Sequence, residues 1–252
     1  MALAHDGEPP SLLLDAGTGL RRVAALLDGA AFDGSILLGH LHWDHTQGLP
    51  FFRAGDDPRA RVDLYLPAQG GDPVEVLARG MSPPHFPIRP DQLRGAWRFV
   101  ALEEGTTVIE GFEVLAREIP HKGGRTFGYR VSDASGSLAY LSDHHPFGLG
   151  PGPDGFGPYH PAARELVDGV DLLLHDAQYT RSEFGARADF GHSTIDYAVG
   201  LADVCDVGSL LLFHHDPART DPELDAIAAA YADATRPVRV AVEGDVLHLP
   251  TG

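Results

Sequence analysis

The sequence predicts an α/β fold in which helices cover both outer faces of layered β-sheets. Short apolar runs that are typical of buried strands recur along the chain. They come first in succession and later alternate with amphipathic stretches of helical spacing. No composition shift or linker divides the chain, so residues 1–252 are predicted to form a single domain.

The N-terminal region predicts two strands that are separated by a helix. The strands are "SLLLDAG", which ends at Asp15 and Gly17, and "SILLG". The segment between them, "TGLRRVAALLDG", places apolar residues three and four apart, with Thr18 as the expected N-cap and Gly29 as the stop.

The middle of the chain alternates between strand and helix signals. A strand is expected at "RVDLYLP", a helix at "GGDPVEVLARGM" and a proline-rich loop at "SPPHFPIRP". Three successive strands then follow at "FEVLAREIP", "FGYRVS" and "SLAYLSD".

The C-terminal part opens with a Gly/Pro loop, "PGPDGFGPYHP". Strands are predicted at "VDLLLHDAQY" and "SLLLFHHD", and a helix that Ser193 or Thr194 opens lies between them. A second helix is expected after Thr220, with Pro222 in its first turn. The last segment, "VRVAVEGDVLHLP", predicts two strands around a Gly-Asp turn.

Charge and composition narrow the range of partners. The chain has 19 basic and 36 acidic residues, a formal net charge of −17, and no basic run longer than Arg21-Arg22. Such a surface repels long polyanions, so a nucleic-acid polymer is not the expected partner. No apolar run reaches membrane-spanning length, and the N-terminus lacks the features of a signal peptide. A single cysteine, Cys205, excludes an intrachain disulfide, and we therefore expect a cytoplasmic protein.

One short segment concentrates ionisable residues directly after a buried strand. The run "ILLGHLHWDH" places three histidines and an aspartate between His40 and His45. Burying such groups is expensive unless something compensates them, and a metal ion does so. In an extended loop His40 and His42 point the same way and can bind one ion, whereas Asp44 and His45 face a second position.

Other polar residues follow later strands in the same manner. They are His121, Asp143, Asp176 and His214. Strand ends at one edge of a layered sheet can converge in a single cleft. With His121, His214 and a shared Asp143, the residues complete two metal sites, for which nitrogen and carboxylate ligands favour Zn²⁺ and also admit Mn²⁺ or Fe²⁺.

These motifs resemble those of the metallo-β-lactamase fold superfamily. "HLHWDH" is similar to its HxHxDH signature. The later pieces resemble its phosphodiesterase branch, which includes RNase Z and the phosphoribosyl cyclic phosphodiesterases. They are "IPHKGGRTFGYR", "AYLSD", "LLLHDAQY" with Asp176 where the family usually has Glu, "GHSTIDYAVGLA" and "LLLFHHD".

The resemblance implies a four-layer αββα sandwich and a dinuclear hydrolase. The expected substrate is a small phosphodiester, cyclic ones included, attacked by a hydroxide that bridges the two ions. The expected ligands are His40, His42, Asp44, His45, His121, Asp143 and His214. The catalytic residues are expected to be Asp44, His192 as a proton donor and Asp176, which holds His192, while Asp15 orients a ligand histidine.

The sequence departs from the family in two places. Family members usually begin with a strand and loop before the segment that matches "LDAGTG", and here Met1 lies barely ten residues before that strand, so we expect both to be missing. The tRNA-clamping arm of RNase Z has no recognisable counterpart. The Gly/Pro loop follows Asp143, the wrong position for the arm, and contains no Lys or Arg.

Several alternatives stay open at this point. His215 competes with His214 as a ligand, His144 or His145 could line the pocket, and His192 could simply cap the following helix. A lactonase or thioesterase could use the same metals, and a metal-binding sensor would need no turnover. The oligomeric state is open, a homo-oligomer included.

Overall fold

The structure, a computed structural model, describes residues 1–249 and divides them into two compact units. Unit 1 comprises Met1–Glu103, Val108–Gly111 and Gly123–Arg125, and unit 2 comprises Glu104–Thr107, Phe112–Lys122 and the chain from Thr126 onward. Both units combine sheet and helix, so the predicted α/β class is confirmed. The assignment of 1–252 to one domain stays a prediction.

Unit 1 is built on a five-stranded sheet in the order β1-β2-β3-β4-β5. Strands β2 to β5 run parallel, and β1 pairs antiparallel with β2. An apolar cluster that includes Leu13, Ile36 and Leu64 forms its core. The elements are β1 Ala2–Leu3, β2 Leu12–Leu14, α1 Val23–Leu26, β3 Asp33–Leu37, α2 Trp43–Thr46, β4 Arg61–Pro67, α3 Pro73–Ala78 and β5 Ala96–Leu102.

The second sheet has seven strands in the order β12-β11-β10-β9-β8-β7-β6. The elements are β6 Gly105–Ile109, β7 Phe112–Glu118, β8 Phe127–Ser132, β9 Ser137–Leu141, α4 Pro161–Val167, β10 Leu172–Asp176, α5 Arg181–Arg187, α6 Ile195–Val204, β11 Ser209–Phe213, α7 Asp221–Ala230 and β12 Val238–Val240. Strands β9 to β12 are parallel, so the carboxyl ends of β9, β10 and β11 lie at the same edge.

Two predicted elements differ from the structure. The predicted helix after Thr18 is a 3-10 segment, Thr18–Arg22, followed by the single turn α1, and its N-cap is Gly17. Gly19 weakens an α-helix here, and the three-residue period brings Leu20 and Val23 to the same buried face. Of the two predicted final strands only β12 forms among the described residues.

The segment after β12 has no buried face to pack against the sheet. Val242 is 61% exposed and Val246 is 73% exposed, so the apolar burial that would stabilise a second strand is missing. Pro250, where that predicted strand ended, lies outside the described residues. A two-residue strand, β1, precedes β2, which the sequence pattern did not predict. No described helix combines the length and apolar character needed to cross a bilayer.

Candidate metal centre

In unit 1 the histidines of the HxHxDH motif, which follow β3 in the chain, lie close together. The His40 ring centroid is 4.3 Å from that of His42 and 4.2 Å from that of His45. His40 and His45 are only 3% and 4% exposed. Asp44 lies on the same short helix, α2, and its side chain is 60% exposed.

Helix α2 is held in place by the turn that follows β2. The Ala16 amide donates to the His45 carbonyl at 2.9 Å, and the Gly48 amide donates to the Ala16 carbonyl at 2.8 Å. A Cβ at Gly17 would collide with the Asp44 carbonyl, and one at Gly48 with the backbone of Gly17. The two glycines therefore allow the backbone approach that fixes the motif.

Asp15 orients one of the motif's imidazoles, as the sequence led us to expect. Its Oδ2 accepts a hydrogen bond from His45 Nδ1 at 2.7 Å, and its Oδ1 accepts one from the Gly39 amide at 2.7 Å. Burial alone would raise the pKa of Asp15. The charge and hydrogen bond of His45, together with the hydrogen bond from the Gly39 amide, outweigh burial, and the pKa of Asp15 therefore lies below its usual value. With Nδ1 protonated, His45 keeps a lone pair on Nε2 for a metal ion.

In unit 2 Asp143 and His214, which follow the parallel strands β9 and β11, converge with His121, which follows β7. The Nε2 atoms of His121 and His214 lie 3.7 and 3.4 Å from Asp143 Oδ1. His121 donates from Nδ1 to the Gly191 carbonyl at 2.7 Å, which leaves its Nε2 as the metal-binding nitrogen. Asp143 is 1% exposed.

His192 pairs with Asp176. Its Nδ1 donates to Asp176 Oδ2 at 3.0 Å. The same carboxylate also accepts hydrogen bonds from the backbone amides of Gln178, Ser193 and His144. The N-cap of α6 is Thr194, whose side chain accepts from the Tyr197 amide. The helix therefore has its cap without His192.

Potential ligand atoms lie within 4.8 Å of one another in two groups of unit 2. One group is His121, Asp143 and His192, and the other is Asp176, His192 and His214. His215 belongs to no such group in the part of the chain that the structure describes.

Asp15 and His214 have backbones in the left-handed region. Asp15 has φ 60° and His214 has φ 53°, and each directly follows a strand. Such conformations are unfavourable for residues other than glycine and concentrate at functional sites. Sequence spacing carries no signal of this feature.

The residues present fit a first-row divalent metal. Each unit gathers imidazoles and a carboxylate, and the hydrogen bonds that Nδ1 of His45 and of His121 donates leave the Nε2 lone pairs for a metal ion. This donor set suits Zn²⁺ and related ions.

A second histidine cluster in unit 2 was not recognised as such in the sequence. His144, His160 and His175 are buried and hydrogen-bonded to one another. The sequence pattern indicates His144 only as a residue that could line the pocket and assigns no functional role to His160 or His175. Their separation along the chain provides no signal that they meet.

His160 makes the stability of the fold pH-dependent. Burial and the neighbouring His175 lower its pKa to about 4. The unfolded chain takes up this proton below about pH 6.5, whereas the folded chain does so only near pH 4. The free energy of unfolding should therefore fall as the pH drops through this window, by at most about 1.4 kcal/mol per pH unit from this group.

Urea denaturation of chelator-treated protein between these pH values measures the effect. His160→Asn removes the titrating group while keeping a residue suited to the N-cap of α4. The variant should lose stability less steeply on acidification than the parent. Equal slopes for both proteins would contradict the assignment.

Comparison with known proteins places the chain in a family. Residues 11–215 match the family model described as "Beta-lactamase superfamily domain". A ribonuclease Z of Lactobacillus delbrueckii subsp. bulgaricus is 27% identical over 221 residues, which cover 71% of this chain and 69% of the relative.

Solved structures show the same fold. A diphosphatase of the PhnP family superposes with a TM-score of 0.68 at 21% identity, covering 99% of this chain and 84% of that chain. The short form of human tRNase Z, ELAC1, gives a TM-score of 0.63 at 21% identity, covering 99% and 91%. This fold implies divalent metal ions. The chain therefore belongs to the metallo-β-lactamase superfamily, in its phosphodiesterase-type branch, and is a metal-dependent hydrolase.

Proposed function

We propose that the protein hydrolyses small phosphodiesters with two divalent metal ions, zinc first among the candidates. The proposed ligands are His40, His42, Asp44 and His45 of unit 1 and His121, Asp143 and His214 of unit 2. The ions would supply a nucleophile at neutral pH and neutralise charge on the phosphoryl group.

The observation that carries the phosphodiesterase assignment is the His192–Asp176 pair beside Asp143. His192 Nδ1 lies 3.0 Å from Asp176 Oδ2 and 3.7 Å from Asp143 Oδ1. The buried carboxylate holds the imidazole with Nε2 turned away from it, and in the imidazolium form that nitrogen carries the proton that the leaving oxygen needs.

The ligand residues have supporting partners that limit their movement. Asp15 holds His45, and the Gly191 carbonyl holds His121. Fixed imidazoles bind metal more tightly, because less conformational freedom is lost on binding. Asp44, the most exposed of the proposed ligands, would both bind an ion and border the substrate.

A small substrate fits the charge of the chain. With a formal net charge of −17, the protein offers little attraction to a long polyanion. The relatives named ribonuclease Z favour precursor tRNA as a second candidate substrate. Both candidates are phosphodiesters, and the proposed chemistry is the same for each.

A substrate panel separates the candidates. We expect turnover of bis-p-nitrophenyl phosphate and of cyclic nucleotides with Zn²⁺, Mn²⁺ or Fe²⁺, and little cleavage of precursor tRNA at physiological salt. Efficient 3′ processing of precursor tRNA would make precursor tRNA, and not a small phosphodiester, the favoured substrate. Turnover of a lactone or thioester without any phosphodiesterase activity would refute the proposal in favour of a carbon-centred hydrolase, and absence of turnover on every substrate would favour a sensor.

A further inference from the structure

Three buried histidines of unit 2 form a hydrogen-bonded row. His144 Nδ1 lies 2.9 Å from His175 Nε2, and His144 Nε2 lies 2.8 Å from His160 Nε2. At one end of the row His175 Nδ1 lies 2.7 Å from the Asp176 carbonyl oxygen. At the other end the Ala163 amide donates to His160 Nδ1 at 3.5 Å.

The two ends determine the proton positions in the row. The Asp176 carbonyl can only accept, so His175 is protonated on Nδ1 and accepts on Nε2. His144 must then donate from Nδ1 and accept on Nε2, and His160 must donate from Nε2. His160 Nδ1 is left to accept from the Ala163 amide, which completes a row of neutral rings with one consistent direction.

This row is unsuited to moving protons toward the site. A chain that carries protons must end on groups that can exchange them, whereas this one ends on a backbone carbonyl and a backbone amide. Its three rings do, however, connect the loop after β9, the end of β10 and the start of α4. A row of satisfied polar groups in a core rigidifies the segments that it joins.

The segments that the row joins carry Asp176. The His144 amide donates to Asp176 Oδ2, the atom that also accepts from His192 Nδ1. We infer that His144, braced by His175 and His160, is a positioning residue that holds the Asp176 carboxylate and thereby keeps His192 protonated on Nδ1. The consequence for turnover rests on the proposed function, whereas the effect on His192 does not.

The state of His192 can be observed without any activity. Long-range ¹H–¹⁵N spectra of the chelator-treated protein distinguish protonated from unprotonated ring nitrogens. In the parent we expect His144, His175 and His192 to be protonated on Nδ1 and His160 to be protonated on Nε2. In His144→Ala the two His192 nitrogens should move toward averaged shifts, because the tautomer is no longer fixed.

Two further variants separate positioning from general loss of stability. His144→Asn offers an amide N–H where Nδ1–H was, keeps the bond to His175, and should retain most of the His192 tautomer. The Tyr197 ring lies beside the row, with its centroid 5.5 Å from that of His144. Tyr197→Phe removes the 3.0 Å hydrogen bond that the Tyr197 hydroxyl donates to the Pro158 carbonyl. This control should leave His192 unchanged, although it too loses a buried hydrogen bond.

The kinetic readout is a split between leaving groups. His144→Ala should lose about 10-fold or more on phosphodiesters that release an alkoxide, and much less on p-nitrophenyl esters, whose leaving group needs little protonation. His144→Asn should fall between His144→Ala and the parent. An unchanged His192 spectrum in His144→Ala overturns the inference, as does a loss in Tyr197→Phe equal to that in His144→Ala. If no phosphodiester is turned over by the parent, the proposed function fails while the spectra still decide the inference.

Discussion

His192→Ala is expected to keep its metal ions and to lose about 10²–10⁴-fold in kcat on phosphodiesters that release an alkoxide. The loss should be small on p-nitrophenyl esters, because that leaving group departs without a proton. The physical reason is the geometry of His192, whose Nδ1 is held by Asp176 while Nε2 remains for the leaving oxygen. Metal analysis and kcat on matched alkyl and aryl substrates measure both parts.

Asp176→Asn tests the same proton-donor role by weakening the support of His192. The amide keeps the shape of the carboxylate and removes its charge, so it should show the same pattern more weakly. Metal loss in His192→Ala, or an equal decrease in kcat on both substrate types, would exclude the acid role and return His192 to the set of ligand candidates.

His45→Ala is expected to lose metal and to fail on alkyl and aryl substrates alike. Its imidazole is 4% exposed and fixed by Asp15, so the substitution removes a preorganised nitrogen ligand. Asp15→Asn retains the imidazole but weakens its support, and should lower metal affinity by about 10–100-fold. Isothermal titration of chelator-treated protein with Zn²⁺ gives both affinities.

The relative severity of metal loss in the two variants separates a ligand from the residue that supports it. His45→Ala should be more severe than Asp15→Asn in metal binding, and excess metal should restore turnover in Asp15→Asn alone. If His45→Ala binds metal as the parent does, the assignment of the HxHxDH motif as a ligand set is wrong.

Most elements near the proposed site could be predicted from the sequence, because they carry the strongest local signals. The run before His175 is continuously apolar and becomes β10, and Thr194 caps α6 as its residue type suggests. The candidate site residues could be predicted because they are polar and directly follow apolar strands. Burying such residues without a partner is costly, so their position indicates a function.

Elements with weaker local patterns escaped prediction. Strand β5 has no fully buried residue, and the seven-residue helices α4 and α5 are too short for a clear periodicity. The histidine row escaped for another reason, since it joins residues from the ends of β9 and β10 and the start of α4. Only the parallel pairing of β9 with β10 brings His144 and His175 together.

The left-handed backbones of Asp15 and His214 were equally invisible, because neither residue type requires that conformation. The sequence favoured His214 over His215 only through its position directly after the strand. The structure adds the distance of 3.4 Å from His214 Nε2 to Asp143 Oδ1.

The most direct test of the account is a metal titration of chelator-treated protein, followed in parallel by metal binding and by turnover of bis-p-nitrophenyl phosphate. We expect no turnover without metal, two bound ions per chain, and full turnover only when both are bound. Phosphodiesterase activity that survives removal of metal, or full turnover at one ion per chain, would contradict it.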